Sequence, residues 1–267
     1  VKRLPGAAGG DLSADFHIRG GVTDEMLVLL DGVELVEPFH LKDFQSVFST
    51  IDAEATGGVE FLTGGFPAEY GDRMSGVMSI ALATPSGPSR TSVALGTLNT
   101  RLLSHGTFDD SQGHWLVSAR AWYPDLILGA FDLVREQIET DYADLVATVG
   151  HTLGSRSTVT LNTLISDDDL GFRVEDPDEV EDVSAEVDNA HLWLNLSTQW
   201  TPTLFSRTLV SGSRVRSERT GSVADVVEGT IGVDDRRRFE DIGLKQDWTF
   251  QLDDTWLLKC GFDVRHQ

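Results

Sequence analysis

Phe16 to Leu82 contains FHIRGG at 16–21, LVLLDGVEL at 27–35 and VEFLTGGFPAEYGDRMSGVMSIAL at 59–82. Short apolar segments end in glycine-rich corners, and Arg, Asp and Tyr stand beside those corners. Paired glycines permit positive φ and close backbone approach, and an Asp-Gly pair suits a two-residue hairpin. The pattern predicts a β domain of short strands and sharp turns over about the first 84 residues.

These motifs, in this order, resemble the plug domain of TonB-dependent outer-membrane receptors. The residues that carry the resemblance are Arg19, Gly20, Gly21, Asp31, Gly32, Gly64, Gly65, Tyr70, Gly71, Arg73 and Gly76. Glu37 to Leu41 is similar to a subgroup whose members carry a carboxypeptidase-regulatory-like domain upstream. The resemblance implies a gated import channel, in which the plug closes the lumen of a membrane barrel.

Arg19 and Arg73 occupy motif positions at which the family pairs arginines with glutamates on the inner barrel wall. A buried or half-buried arginine needs a carboxylate partner, so breaking such pairs would loosen the plug. The alternative is that both arginines only brace turns within the plug. The resemblance therefore implies plug–barrel contacts at these two positions.

Residues 84–90, TPSGPSR, contain two prolines, a glycine and two serines and predict a linker. The predicted organisation is a plug domain at 1–84 whose N-terminal part is missing, a linker at 85–90, and the first nine or so barrel strands at 91–267. The approximate strands are 91–97, 100–108, 114–123, 143–152, 156–165, 190–200, 204–216, 239–250 and 255–264.

Alternation with a period of two supports these strands. Leu192, Leu194 and Leu196 share one face, opposite His191 and Trp193. A soluble sandwich also alternates. Segment lengths near the roughly 9–11 residues of a tilted spanning strand, and aromatic residues near strand ends, favour a membrane barrel.

Short and long connections alternate, as they do in outer-membrane barrels. Segments 124–142, 166–189 and 217–238 are predicted to be long outer loops, the first with a short amphipathic helix and the second acidic and solvated. Nine is an odd number of strands and too few to enclose a plug. The predicted fold class is therefore mainly β: a mixed α+β plug domain followed by antiparallel strands of a truncated, 22-stranded transmembrane β-barrel.

The formal net charge of -22 argues against a nucleic-acid partner, which needs a basic face. The single cysteine excludes an internal disulfide. No nucleophile–base arrangement is visible, so we expect no enzyme activity, no catalytic residues and no cofactor. His17, His40 and Asp43 match no standard metal-ligand spacing, so hydrogen-bonded or solvated histidines are expected instead. A calcium site in the acidic segment 166–189 is a minor alternative.

The resemblance implies active transport of a scarce nutrient across the outer membrane of a Gram-negative bacterium. The implied partners are TonB, through a box expected before residue 1, a small-molecule or oligomeric ligand, and outer-membrane lipid. Siderophore, cobalamin, sugar and peptide receptors share these motifs, so the motifs do not select a substrate. The alternatives are a receptor for sensing or adhesion with little transport, and a soluble all-β binding module.

Overall fold

A computed structural model describes residues 7–8, 17–18, 26–42, 48–71, 76–124, 138–175, 179–225 and 229–267. The described N-terminal strands are β1 (Ala7–Ala8), β2 (His17–Ile18), β3 (Met26–Leu30), β4 (Val33–Glu34), β5 (Phe39–His40), β6 (Phe48–Ser49), β7 (Thr56–Leu62) and β8 (Gly76–Leu82). One 3₁₀ turn, Ala53–Ala55, precedes β7 and is the only helical element described in this part of the chain. Below, "plug" means the described residues up to Leu82.

A four-stranded mixed sheet organises the plug. Its order is β4-β3-β8-β7, with β3 and β8 parallel and the other pairs antiparallel. Every residue of β3 is buried, as expected of a strand that has neighbours on both edges and is covered on both faces. One face of this sheet packs within the plug, and the other packs against the strands that follow.

A nine-stranded antiparallel sheet follows the plug in the part of the chain that the structure describes. Its strands are β9 (Arg90–Leu95), β10 (Asn99–Phe108), β11 (Gly113–Trp122), β12 (Ile138–Leu153), β13 (Ser157–Glu175), β14 (Glu179–Thr201), β15 (Leu204–Asp225), β16 (Gly229–Gln251) and β17 (Leu257–His266). Each strand pairs with the next along the chain. This sheet is called the wall below, and it confirms the predicted run of antiparallel strands.

The wall has one apolar outer face that is exposed in the isolated chain. Cross-strand partners form a continuous apolar row over six neighbouring strands. The row consists of Val149, Leu161, Leu194, Val210, Leu244 and Val264, which are 37–61% exposed. Soluble proteins rarely expose a contiguous apolar surface of this length, whereas the lipid-facing band of a membrane barrel requires one.

The prediction of long loops at 166–189 and 217–238 is wrong. β13 and β14 remain paired as far as Glu175 and Val180, and β15 and β16 as far as Asp225 and Gly229. Residues 176–178 and 226–228 alone separate these strands. Polar residues alternate with small or apolar ones in both segments, so a ladder satisfies the backbone there although neither face is strongly apolar.

The predicted helix within 124–142 falls mostly on residues 125–137, outside the described residues, and Ile138 to Tyr142 belong to β12. Residues 83–89 connect β8 to β9, and the domain boundaries at 84, 85, 90 and 91 stay a prediction. No helix among the described residues is long and apolar enough to cross a membrane.

Candidate functional site: the interface between the plug and the wall

The plug and the wall share one hydrophobic core. Leu30, Val33 and Leu35 of the plug belong to the same buried cluster as Leu164 and Trp193 of the wall. The wall residues lie on the inner face, opposite the exposed apolar row, because neighbouring strand residues point to opposite faces. Trp193 was predicted on the polar face, and the plug covers it there so that 1% of it is exposed. The inner face is therefore fitted to the plug.

His40 lies at the centre of the most buried polar contact in this interface. Its Nδ1 is 2.7 Å from Asp168 Oδ1, and its Nε2 is 3.0 Å from Asp144 Oδ2. Its side chain is fully buried, and its ring stacks on Tyr142 with centroids 4.0 Å apart. The plug segment 37–42 is thereby fixed to both β12 and β13.

The geometry around His40 defines its protonation. An ionised carboxylate only accepts hydrogen bonds, and a neutral imidazole has a single N–H. Both ring nitrogens face carboxylates, so both donate only when the ring is an imidazolium. Burial by itself lowers the pKa of His40, but the hydrogen bonds and charges of Asp144 and Asp168 outweigh burial and raise the pKa above its ordinary value.

Arg120 on β11 completes the charge balance. It donates to both carboxylate oxygens of Asp144, and its Nη2 donates to the backbone carbonyl of Ser49 at 2.7 Å. Two cations and two carboxylates therefore form a neutral group that joins three wall strands to two plug segments. We call His40, Arg120, Asp144 and Asp168 the His40 cluster. A buried group of this kind is stable only while all of its members are present.

A second polar contact lies at the 3₁₀ turn. Asp52 caps this turn by accepting a hydrogen bond from the Glu54 backbone N–H at 3.0 Å. Its other carboxylate oxygen accepts from Ser118 Oγ of β11 at 2.6 Å and lies 3.7 Å from Arg101 Nε of β10. Arg101 also pairs with Glu54. One plug carboxylate thus serves both local structure and contact with the wall.

The Asp31–Gly32 hairpin makes a third contact. Asp31 and Gly32 have φ of 48° and 92°, the two positive values that a two-residue hairpin of this type requires. Arg207 of β15 donates to the Asp31 carbonyl. The Asp31 carboxylate accepts from the Leu82 backbone N–H at 3.1 Å, and burial raises its pKa. Beside the hairpin, Arg265 Nη1 of β17 lies 2.7 Å from Glu34 Oε2.

The other predicted motif residues lie elsewhere. Gly64 and Gly65 form a turn after β7 with φ of 156° and 64°, Tyr70 packs on Leu27, Leu29 and Val77, Gly71 is exposed, and Gly76 begins β8. Arg19, Gly20, Gly21 and Arg73 lie outside the described residues. Their pairing with barrel glutamates stays a prediction.

The described contacts across the interface have both polarities, and His40 has the one expected at Arg19 and Arg73, a plug cation against wall carboxylates. Wall arginines reach plug carboxylates or carbonyls, and the plug cation His40 reaches wall aspartates. The sequence reasoning missed Arg101, Arg120, Arg207, Asp144 and Asp168. Strand alternation was a usable signal for Asp144, which lies in a predicted strand, but not for Asp168, which lies in a segment predicted to be a loop, and it could not show what faces either residue.

The expected absence of a metal site stays a prediction. Among the residues that the structure describes, no three His, Cys, Asp or Glu side chains are grouped to hold a metal ion. Both His40 nitrogens contact aspartates, which agrees with the prediction of a hydrogen-bonded histidine. The side chains of His17 and Asp43 are outside the described set.

Comparison with known proteins matches the N-terminal part of the chain to one family and the fold of nearly the whole chain to solved structures. Residues 1–77 match the TonB-dependent Receptor Plug Domain family. A search of curated proteins gives no significant match.

Among solved structures, the ferric yersiniabactin uptake receptor FyuA from Yersinia pestis is 11% identical, with a TM-score of 0.61, over 99% of this chain and 57% of its own. The ferric citrate transporter FecA is 12% identical, with a TM-score of 0.59, over 99% of this chain and 52% of its own. The copper transporter OprC is 15% identical, with a TM-score of 0.52, over 99% of this chain and 50% of its own. This chain therefore has their fold and spans about half of their length.

Proposed function

We propose that this chain acts in TonB-dependent uptake across the outer membrane of a Gram-negative bacterium. Residues 1–77 match the plug domain family of TonB-dependent receptors, and the strands after them have the fold of the similar structures, which supports this proposal. The plug closes the lumen, and TonB opens it by pulling on a segment N-terminal to the plug. The wall carries the solute path on its inner face and contacts lipid with its outer face.

The observation that carries this proposal is the polar interface between the plug and the inner face of the wall. A permanent structural core would be expected to be mainly apolar, because a buried ion pair is often no more stabilising than well-packed apolar residues. Here a neutral His40 cluster, in which Asp168 Oδ2 is the one carboxylate oxygen without a described hydrogen-bond partner, lies beside a shared apolar core. Such a group fixes the plug in one position and loses most of its stability once one member moves away.

The chemistry of opening follows from these contacts. A pull that withdraws His40 from the wall leaves Asp144 and Asp168 facing each other's charge, with Arg120 as the remaining cation. Water must enter to solvate them. Hydration of the interface then lowers the cost of further plug movement and opens a polar path along the inner face. No covalent step and no cofactor are part of this mechanism.

We propose a small-molecule or oligomeric substrate: a siderophore, cobalamin, a sugar or a peptide. The three similar structures are an uptake receptor for ferric yersiniabactin and transporters of ferric citrate and of copper. Iron chelates are therefore the first substrates to test.

Uptake in a deletion strain tests the proposal. The gene in its complete form should restore growth on, and accumulation of, a panel of labelled ferric chelates, cobalamin, oligosaccharides and peptides. Restoration should disappear when TonB is absent. Uptake that is independent of TonB would contradict the proposal. Binding of a panel member at the cell surface without uptake would favour the alternative function in sensing or adhesion.

A further inference from the structure

Four arginines lie on the outer face of the wall just beyond its apolar row. The register pairs Arg216 with Arg238, Arg214 with Glu240, and Glu218 with Arg236. Alternation places these residues on the same face as Val210 and Leu244, which belong to the apolar row. We call Arg214, Arg216, Arg236 and Arg238 the arginine cluster.

The cluster lines a surface cavity of about 300 Å³. The lining residues are Arg214, Arg216, Glu218, Arg236, Arg237 and Arg238. Four outer-face arginines and one glutamate thus meet in a chain whose formal net charge is -22, and Arg237 lines the cavity from an inner-face position. The next outer-face positions on β13 and β14 are Asp167, Asp169, Glu186 and Asp188, so the positive charge is confined to β15 and β16.

The arginines are available to a ligand. Their side chains are 46–66% exposed. Their carboxylate partners lie on the same exposed strands, as in the Arg216–Glu218 pair at 2.6 Å. Exposed ion pairs of this kind are weak and exchange readily for a stronger anion. A phosphate group is such an anion, since the guanidinium fork binds it with two parallel hydrogen bonds.

The position of the cluster identifies the source of the phosphate. Arg214 follows Gly212 on the outer face, so the first arginine is two residues, roughly 7 Å along the strand, beyond the apolar band. The cluster lies towards the β15–β16 connection at 226–228, on the side opposite the short turns at 154–156 and 202–203. Short turns face the periplasm in these barrels. A solute in the lumen meets the inner face of the wall, so the phosphate that reaches the arginine cluster comes from a lipid headgroup and not from a transported solute.

We propose that the arginine cluster binds the phosphate groups of an outer-leaflet lipid, a phosphorylated glycolipid whose acyl chains lie along the apolar row. This inference rests on the proposed outer-membrane function. The band supplies apolar contact for the chains, and the arginines supply charge at headgroup height. Each basic residue near a charged membrane surface contributes about 1 kcal/mol, which corresponds to roughly five-fold in affinity.

Lipid binding to the purified, complete receptor tests the proposal. The probes are a bisphosphorylated glycolipid of the lipid A type and its enzymatically dephosphorylated form, counted on the protein by native mass spectrometry. The Arg214→Gln/Arg216→Gln and Arg236→Gln/Arg238→Gln variants should each bind the phosphorylated lipid at least ten-fold more weakly than the wild type. The dephosphorylated lipid should bind wild type and variants equally.

Arg219→Gln is the matched control. Arg219 is on β15 close to the cluster, but alternation places it on the inner face, so its loss should change lipid binding less than two-fold. Heat-modifiable migration on gels verifies folding of each variant. If a glutamine pair does not fold, Arg214→Lys/Arg216→Lys retains the charge but not the bidentate geometry and should bind several-fold more weakly.

Two results would overturn the inference: unchanged affinity in the folded variants, or equal affinity of the wild type for both lipid forms. Complete displacement of the lipid by millimolar inorganic phosphate would also overturn it, because the site would then take free phosphate. Fractionation of the wild type outside the outer membrane would instead contradict the proposed function. The two failures are thus distinguishable.

Discussion

His40 is the residue on which the interface between plug and wall depends most. Replacing it in the His40→Gln variant removes one cation and leaves Asp144 and Asp168 buried with unbalanced charge. Loss of one partner of a buried ion pair costs about 3–5 kcal/mol. We expect the free energy of plug release to fall by that amount, measured as the urea concentration at which protease first cleaves the plug in the folded protein.

Lys42→Gln is the control for this variant. Lys42 lies two residues away and pairs with Glu37 at 2.5 Å, but its side chain is 47% exposed. An exposed pair contributes about 0–1 kcal/mol, so plug release should hardly change. Equal effects of the two variants would contradict the role assigned to the His40 cluster.

The same residue makes plug release dependent on pH. The pKa of His40 in the folded protein is raised above the ordinary value of about 6.5 by Asp144 and Asp168, despite burial. Its stabilisation is therefore complete below that ordinary pKa and is lost as the pH rises through the raised pKa. Urea titrations between about pH 6 and pH 10 should show easier plug release at alkaline pH in the wild type, and a flatter profile in His40→Gln. A wild-type profile parallel to that of the variant would refute this.

The role of His40 could not be read from the sequence. The sequence predicts a hydrogen-bonded or solvated histidine, which holds only in that general form. Its partners Asp144 and Asp168 are 104 and 128 positions away. A period of two places Asp144 on the inner face of a predicted strand, whereas Asp168 lies in a segment predicted to be a loop. Periodicity also says nothing about how one domain packs on another.

At the scale of the element, the Asp31–Gly32 hairpin positions the contact with β15. In Gly32→Ala a Cβ would face a φ of 92° and would lie 3.4 Å from Leu209 Cδ2. Left-handed backbone costs a non-glycine residue about 1–2 kcal/mol. We expect plug release to become easier by about that amount in the same protease assay.

Gly58→Ala is the comparison for this hairpin variant. Nothing lies within 4 Å of a Cβ at Gly58, which is in β7 and has no positive φ. Alanine there should be neutral or slightly stabilising. A loss of stability at Gly58 equal to that at Gly32 would show that glycine substitution in the plug is harmful in general, and not through the hairpin.

The elements differ in how well the sequence predicts them. The faces of β14, β16 and β17 follow from alternation, because lipid or core on one side and polar surroundings on the other select residues in strict order. The positions at which these strands end do not follow from alternation. Beyond the apolar row the outer face is acidic, and the buried inner face carries Ser166 and Asp168 beside Leu170, so segments such as 166–175 have the composition of a loop while pairing as strands.

At the scale of the whole molecule, the exposed apolar row predicts that the stability cost of a charged substitution on the outer face depends strongly on its depth in the bilayer. Leu194→Arg places a cation in the middle of the lipid-facing band and should cost about 2–4 kcal/mol of stability in a bilayer. Folding yield into vesicles, scored by heat-modifiable migration, should fall accordingly. The change tests the outer face of the wall independently of the plug.

Glu186→Arg is the matched substitution on the same face of the same strand. Glu186 lies beyond the band and is paired with Asp169 on one side and Glu218 on the other. An arginine there relieves acidic repulsion, so folding yield should be unchanged or improved. Equal losses at the two positions would contradict the assignment of the band to lipid.

The shared hydrophobic core has a consequence for the order of folding. Leu30 and Val33 are synthesised more than a hundred positions before Leu164, Trp193 and Leu209, which complete their packing. Contacts of such sequence separation form slowly, because the chain must first close a long loop. The plug strands therefore remain uncovered on one face until β13, β14 and β15 have been made. Until then those strands are an aggregation-prone surface, and the packing of the plug finishes together with that of the wall.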